Sequence, residues 1–375
     1  MGKKVALALL VLLLACGGSV YAENEDDDYW VPEFETEVVR GRVLEVSEYE
    51  EIEHDWTFVG RQLVTVEITS GRFRGQVEEL ENLFTGIEYR DIELKPGDQV
   101  LLFIETDQGM LVSVNLYDVA RDNYLYILVA MFVIGVILVA WLRGLKSLLT
   151  LVFMAVVIAY GLLPLILRGH SPLLLTAGFA ALITLVTLTV IGGLNQKTAS
   201  AILGTLGGLL VAGIFAWVFG TVARLTGFST QDAQMLLYAD VPGSIDFRGL
   251  LFAGIIIGAL GAVLDVAMSI ASSVSEISAA NPRLSFKDLF RAGHNVGTDV
   301  LGTMINTLIL AYAGSALPLL LLFMAYDMSY MSIINMDLIA TEVVRALAGS
   351  FGLLTAAPLT AVAAALFMSR SKRHG

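Results

Sequence analysis

The 375-residue chain is 56% hydrophobic and only 16% charged, with a mean hydropathy of +0.73. An ordinary soluble domain has roughly 25% charged residues, so this composition excludes a purely soluble protein and indicates a membrane protein. The formal net charge of -13 is concentrated in residues 23–123, which hold 26 acidic and 8 basic side chains. Nucleic acid is excluded as a partner, since phosphate binding needs clustered Lys and Arg.

The N-terminal segment, residues 1–22, predicts a signal peptide or an N-terminal anchor. Two lysines precede an apolar run over residues 5–15, and this run is shorter than the about 20 residues that a spanning helix needs. Three interpretations stay open: cleavage after Ala22, lipid attachment to Cys16 at the end of a lipobox-like sequence, and an uncleaved anchor. Each of them predicts that the following domain is exported.

Residues 23–36 predict an acidic linker, and residues 37–118 predict a small all-β extracytoplasmic domain. Val64, Val66 and Ile68 alternate with polar neighbours, which is the period of a half-buried strand. Turn sequences separate five such runs, over residues 37–46, 63–69, 72–80, 100–105 and 111–116. An antiparallel barrel or sandwich is expected, with an OB-like barrel as one form of it.

The chain has one His-plus-carboxylate cluster, which lies between the first two predicted strands. It could bind a divalent cation, or it could be a solvated loop. A single His without a second ligand at fixed spacing favours the loop, so neither a metal site nor a cofactor is predicted. The cluster consists of Glu50, Glu51, Glu53, His54 and Asp55.

Residues 119–375 predict an all-α polytopic membrane bundle with a short C-terminal tail. About seven segments are long and apolar enough to cross a bilayer of about 30 Å. A basic amphipathic helix on the membrane surface is expected over residues 285–291, and Pro318 and Pro358 are expected to kink or interrupt the last two spans. The predicted spans are residues 124–142, 147–167, 172–193, 198–221, 249–273, 300–325 and 343–368.

The Lys and Arg residues of the connecting loops predict the orientation. Nine lie on one side of the predicted spans, counting the C-terminal tail, and three lie on the other side. Because cytoplasmic loops carry the excess of positive charge, the C-terminus is expected in the cytoplasm and the β domain outside it. This agrees with the export signal.

Two rows of small residues predict close helix packing. Gly204 and Gly208 are four residues apart in the fourth span, and Gly254 and Gly258 repeat this spacing in the fifth, followed by Gly261. Small residues at this spacing let two helices approach closely. A hinge or a passage for a small solute is the functional alternative.

Four polar side chains lie within or beside the apolar spans and form the candidate site. Asp265 is interpreted either as a proton- or cation-binding carboxylate facing the bundle interior, or as a carboxyl group held by a neighbouring helix for packing. Asn306 could bridge two helices. Glu342 and Arg345 are spaced to pair on one helix face.

No motif of an enzyme is found. The sequence contains neither His-Glu-x-x-His nor the phosphate-binding Gly-x-x-x-x-Gly-Lys-Ser/Thr. We therefore expect that the chain is not an enzyme and that a gradient, rather than its own ATPase, drives any transport.

Several long sequence blocks resemble the YibE/F family of membrane proteins. They are Arg121-Asp-Asn-Tyr-Leu, the stretch from Asp246 to Ser269, Gly302-Thr-Met-Ile-Asn-Thr-Leu-Ile-Leu-Ala-Tyr312 and Asp337-Leu-Ile-Ala-Thr-Glu-Val-Val-Arg345. The resemblance covers roughly residues 118–368. It implies a multi-pass bacterial membrane protein, here of the inner membrane, and it brings no activity, substrate or catalytic residues.

The leading functional hypothesis is a permease for a small solute or ion. The alternative is a non-transporting accessory or sensory protein whose β domain binds an envelope partner. The lipid bilayer is a predicted partner in both cases, and a homo-oligomer is compatible with either.

Overall fold

A computed structural model of the chain describes residues 34–52, 57–88, 90–239 and 241–370. The predicted signal segment, Cys16 and the basic tail after residue 370 lie outside the described residues. Two compact units are present, one ending at Gly135 and one beginning at Val136.

The first unit contains an antiparallel sheet of six strands. These are β1 (Glu35–Val46), β2 (Glu50–Glu51), β3 (Gly60–Ile68), β4 (Val77–Phe84), β5 (Gln99–Asp107) and β6 (Met110–Val119). The order across the sheet is β4, β3, β1, β5, β6, and the short β2 continues the line of β1 along β3. Because β4 and β6 also lie near each other, the sheet forms a half-barrel.

Alternating apolar residues of the strands form the core of this half-barrel. Val64, Val66 and Ile68 are each 0% exposed, as their period of two predicts. The five predicted runs agree with β1, β3, β4, β5 and β6 to within a few residues, and the two-residue β2 was not predicted. The largest difference is at β4, which begins at Val77 and not at residue 72. Gly75 adopts a positive φ of 91° in a turn that precedes the strand.

Two ion pairs fix the point where the last strand gives way to the first helix. Arg121 donates to the Asp118 carboxylate at 2.6 Å, and this bond holds the pKa of Asp118 below its usual value. Arg40 of β1 pairs with Asp122, the first residue of the helix. The Arg121-Asp122 dipeptide of the first family-like block therefore secures a two-residue connection.

Ten α-helices follow in the described residues. They are α1 (Asp122–Val156), α2 (Leu163–Leu167), α3 (Pro172–Gly192), α4 (Gln196–Val222), α5 (Gln231–Leu236), α6 (Phe247–Ala280), α7 (Phe286–Ser315), α8 (Leu317–Ala325), α9 (Tyr330–Ile334) and α10 (Asp337–Arg370). A π-helical turn, Val157–Leu162, joins α1 to α2.

Six of the described helical stretches are long and apolar enough to cross a membrane, where the sequence predicted about seven spans. The difference arises because the first two predicted spans form one stretch, Asp122–Leu167. Within it the backbone leaves the helical region at Trp141, where φ is 46°. The predicted class, a β domain followed by a membrane helix bundle, is confirmed.

The centre of the second unit is formed by α4, α6 and α10, with α3 and α7 packed against them. Small side chains dominate this core, and Ala201, Ala212, Ala259, Ala356 and Ala361 are each 0% exposed. Packing of small residues is what brings helices together in lipid, because apolar side chains gain little by leaving one apolar medium for another.

The predicted surface helix over residues 285–291 is not separate, since it forms the first turns of α7. A capping box between Ser285 and Asp288 starts the helix. The helix then continues because Gly293 and Gly297 are buried and give α6 room to approach. Pro318 interrupts the predicted sixth span between α7 and α8, whereas α10 continues through Pro358.

Candidate functional site

The first row of small residues lies where α4 meets α10. A Cβ built on Gly208 would lie 2.7 Å from the Gly352 carbonyl oxygen and 2.7 Å from the Ala356 Cβ, and one built on Gly204 would collide with Thr360. The two helix backbones therefore approach as closely as the spacing predicts.

The second row, in α6, has a different environment. A Cβ on Gly254 or Gly261 would meet nothing within 4 Å, and one on Gly258 would meet only the Tyr312 side chain, whose hydroxyl oxygen is 2.8 Å away. All three glycines are exposed, while Ile255 lies buried between them. Within the described chain this row therefore packs against no helix except through Tyr312.

Asp265 continues this exposed row of α6, four residues after Gly261. Its neighbours Leu264 and Val266 are buried. Among the described residues Asp265 has no hydrogen-bond or ion-pair partner. In the single chain the Asp265 residue is therefore accessible rather than enclosed by the described helices.

Contacts between α6 and α7 show that the two helices run antiparallel. A Cβ on Gly293 would lie 2.6 Å from Val274 Cγ2, and one on Gly297 would lie 3.1 Å from Ile270 Cδ1. The α7 residue advances by four as the α6 residue goes back by four. Residues at the same level of the two helices are therefore related by a constant offset, in the sense that their two residue numbers always add up to the same value.

A third contact extends this offset toward the other end of the pair. A Cβ on Gly349 of α10 would lie 3.5 Å from Ala259 Cβ of α6 and 3.1 Å from Leu308 Cδ2 of α7. Ala259 and Leu308 obey the same offset as the two pairs above. The levels of the residues in between can therefore be read directly.

The offset sets Asp265 level with Gly302, and Gly261 level with Asn306. Gly302 and Asn306 are both exposed, and a Cβ on Gly302 would meet nothing within 4 Å. Asn306 has no hydrogen-bond partner among the described residues. These positions form one open surface, here called the α6–α7 face: Gly254, Gly258, Gly261, Asp265, Gly302 and Asn306.

Glu342 and Arg345 form an ion pair on α10, with 2.5 Å between Glu342 Oε1 and Arg345 Nη1. Their side chains are 20% and 26% exposed. The second oxygen, Glu342 Oε2, is buried without a hydrogen-bond partner among the described residues. Tyr312 lies within electrostatic range of both charges.

The four predicted site residues thus fall into two groups. Asp265 and Asn306 lie on the α6–α7 face, and the Glu342–Arg345 pair lies on α10. Tyr312 lies between the groups, because it approaches both Gly258 and the ion pair. Sequence reasoning missed Gly302 and Tyr312 as site residues, although they are the first and the last residue of one family-like block.

The described residues contain no group of three His, Cys, Asp or Glu side chains that could hold a metal ion. Of the acidic cluster, Glu50 pairs with Arg61 at 2.8 Å, whereas residues 53–55 lie outside the described residues. A cavity of about 150 Å³ between α4 and α10 offers no polar ligands, because only apolar side chains line it, among them Phe215, Phe219, Leu347 and Phe351.

The fold and this surface define a multi-pass membrane protein with an N-terminal β domain. The chain belongs to the YibE/F-like family: it matches the YibE/F-like protein family over residues 128–370 and the YibE/F family N-terminal domain over residues 36–119. Comparison with curated proteins and with solved structures gave no match. The resemblance seen in the sequence blocks is confirmed.

Proposed function

We propose that the protein is a permease for a small cation or solute, with the α6–α7 face as its polar pathway. The observation that carries the proposal is Asp265, an ionisable group without a partner in the middle of an apolar helix. Such a group costs about 3 kcal/mol or more within a bilayer, and those that occur mark ion and proton pathways.

The chemistry of the face suits weak and reversible cation binding. Asp265 supplies a carboxylate, and Asn306 supplies an amide oxygen one helical turn away, about 6 Å along the axis. A pathway of this kind can release its ion, because few charged ligands hold it.

The Glu342–Arg345 pair completes the proposal at the far end of the face. Glu342 and Arg345 lie seven and four residues before Gly349 on α10, about 10 Å and about 6 Å along the axis, and Tyr312, which approaches Gly258, lies within electrostatic range of both charges. We assign to the pair the role of an entry point for a charged solute. The pair lies near the start of α10, remote from the end of the helix that the basic loop residues assign to the cytoplasm, so we assign the entry to the side outside the cytoplasm.

Energy would come from an ion gradient, since no nucleotide-binding motif is present in the sequence. We also propose that the chain catalyses no reaction of its own. We also place the protein in the inner membrane, as the family resemblance implies, with the C-terminus in the cytoplasm, as the count of loop charges implies. This orientation needs an odd number of passes, so we propose that the 46-residue stretch Asp122–Leu167, whose helix is broken at Trp141, crosses the membrane twice.

The test is ion flux in proteoliposomes that contain the full chain. Imposed gradients of H⁺, Na⁺, K⁺ and Mg²⁺ are followed with fluorescent indicators for wild type, Asp265→Asn and Asn306→Ala. We expect Asp265→Asn to lower the flux about tenfold, which equals about 1.4 kcal/mol of lost stabilisation. Glu276→Gln, an exposed carboxylate on the same helix, is the matched control and should keep the flux.

The proposal fails if both site variants insert correctly and leave every flux unchanged. A wild-type chain that moves none of the four ions and no tested solute would also refute it.

A second candidate function is an accessory or sensory role for the β domain. Its edge strand β6 exposes Met110, Val112 and Tyr117, which are 68%, 51% and 61% exposed. Exposed apolar side chains on an edge strand suit the addition of a partner strand. Deletion of residues 30–118 separates the candidates, because a permease keeps flux without the domain, whereas an adaptor loses its partner and its phenotype.

A further inference from the structure

The α6–α7 face is open in the single chain although it lies within two apolar spans. Asp265 and Asn306 would contact lipid there without hydrogen-bond partners, and lipid tails can supply none. We infer that a second copy of the chain covers this face, and that the protein is a homodimer whose polar site contains side chains of both subunits.

The row of glycines allows the close approach that such a dimer needs. A Cβ at Gly254, Gly261 or Gly302 would meet nothing within 4 Å, so the backbones of α6 and α7 are accessible from outside. By contrast, the glycines between α4 and α10 are already covered by Thr360 and Ala356. One of the two small-residue rows is therefore used within the chain, and the other is free for a partner.

The face is complementary to itself. Two copies related by a two-fold axis along the membrane normal keep equivalent residues at equal depth. When α6 of one subunit packs on α7 of its partner, Asp265 therefore meets a glycine, Gly302, and Asn306 meets another glycine, Gly261. Each polar side chain thus enters a gap that has no side chain of its own, and this happens twice by symmetry.

The polar groups also converge across this contact. Side chains tilt toward the N-terminus of their own helix. Because α6 and α7 are antiparallel, Asp265 tilts toward the level of Asn306, and Asn306 tilts toward the level of Asp265. The one-turn offset between them therefore shortens, and the amide of one subunit can donate to the carboxyl group of the other.

A second copy fits this face better than an unlike protein, because the knobs and the gaps occur on the same surface at matching levels. An unlike partner would require either protruding side chains or gaps on this chain, but it would not require both at matching levels. The inference does not depend on transport, since it concerns only which surface contacts which.

Counting subunits in lipid tests the inference. Full-length chain carrying one fluorophore is reconstituted at low density in liposomes, and photobleaching steps are counted. We expect two steps for wild type. Gly261→Leu should lower the dimerisation constant about tenfold, the size of one lost helix contact in a membrane. Gly254→Leu is a second variant, and it should act in the same direction.

The matched control is Gly178→Leu on α3. Gly178 is also exposed, and a Cβ there also meets nothing within 4 Å, but it lies on another helix. It should keep the two-step distribution. Since all three substitutions build into open space, the fold of the single chain should tolerate them.

Cross-linking identifies the surface directly. A chain with Gly261→Cys is co-expressed with a differently tagged chain carrying Asn306→Cys, the residue that the proposed contact sets opposite Gly261, and both carry Cys16→Ser, which removes the one native cysteine. Oxidation should link the two tags. Leu210→Cys in place of Gly261→Cys should not, although Leu210 is 66% exposed and lies near the same level on α4.

Three results would overturn the inference. They are single-step photobleaching of wild type, unchanged dimerisation of both leucine variants, and cross-links that join the chain only to an unlike protein or leave it uncoupled. A dimer that carries no flux would refute the permease proposal alone. Flux from a monomer would refute the dimer alone.

Discussion

The contact between α4 and α10 allows a quantitative test with the substitution Gly208→Ala. The new Cβ would lie 2.7 Å from the Gly352 carbonyl oxygen, which belongs to a backbone and cannot rotate away. Forcing an extra methyl group into a packed core costs about 1–3 kcal/mol. The alanine returns up to about 1 kcal/mol through its better helix propensity, so a net loss of about 1–2 kcal/mol of unfolding free energy is expected.

The assay is reversible unfolding of the full chain in mixed micelles, with Gly178→Ala as the matched control. Alanine at position 178 gains the same helix propensity and meets no atom within 4 Å. The two variants should therefore differ by about 2 kcal/mol. Equal stabilities would refute the idea that Gly208 is required by the closeness of α4 and α10.

Two further predictions concern charged groups. Arg345→Ala should destabilise the bundle by about 3 kcal/mol, because it leaves the partly buried Glu342 unpaired, and Glu342→Gln added to it should restore part of the loss in the same unfolding assay. The lowered pKa of Asp118 means that its bond from Arg121 stabilises the fold above the usual carboxyl pKa and is lost as the pH falls through the lowered value. Wild type should therefore exceed Arg121→Gln slightly in stability at neutral pH, because the pair is exposed to solvent. Hydrogen exchange of the β6 amides should show this difference vanish in strong acid. If Glu342→Gln restores nothing, the loss in Arg345→Ala does not come from an unpaired Glu342. If the difference between wild type and Arg121→Gln persists in acid, it does not come from the ionised Asp118.

The sequence predicted the β core well because alternation reports burial directly in a sheet with one covered face. Val64, Val66 and Ile68 are buried for this reason. Strand ends were less accessible, since β4 starts where a glycine turn ends, and a turn of this kind depends on backbone dihedrals that composition does not state.

In the membrane part, hydropathy predicted where the helices lie but could not predict which side of each helix faces a neighbour. A helix that is apolar on all sides has no period to read. Gly204 and Gly254 therefore looked alike in sequence, and only packing shows that one is covered by α10 and the other is open. The exposure of Asp265 was hidden for the same reason.

The polar pair on α10 was the most predictable part of the site. Glu342 and Arg345 are three residues apart, and this spacing alone places them side by side on a helix. Tyr312 was missed because its position depends on how α7 packs on α6 and α10, which no local pattern reveals.

The two-residue connection between β6 and α1 has a mechanical consequence. Arg121 and Asp122 are each tied to the sheet by an ion pair, and Ala120 between them and the strand is 3% exposed. The short connection and these two ion pairs therefore oppose free rotation of the sheet against the first turns of α1. A rotation of the half-barrel should therefore change the orientation of the first turns of α1 as well.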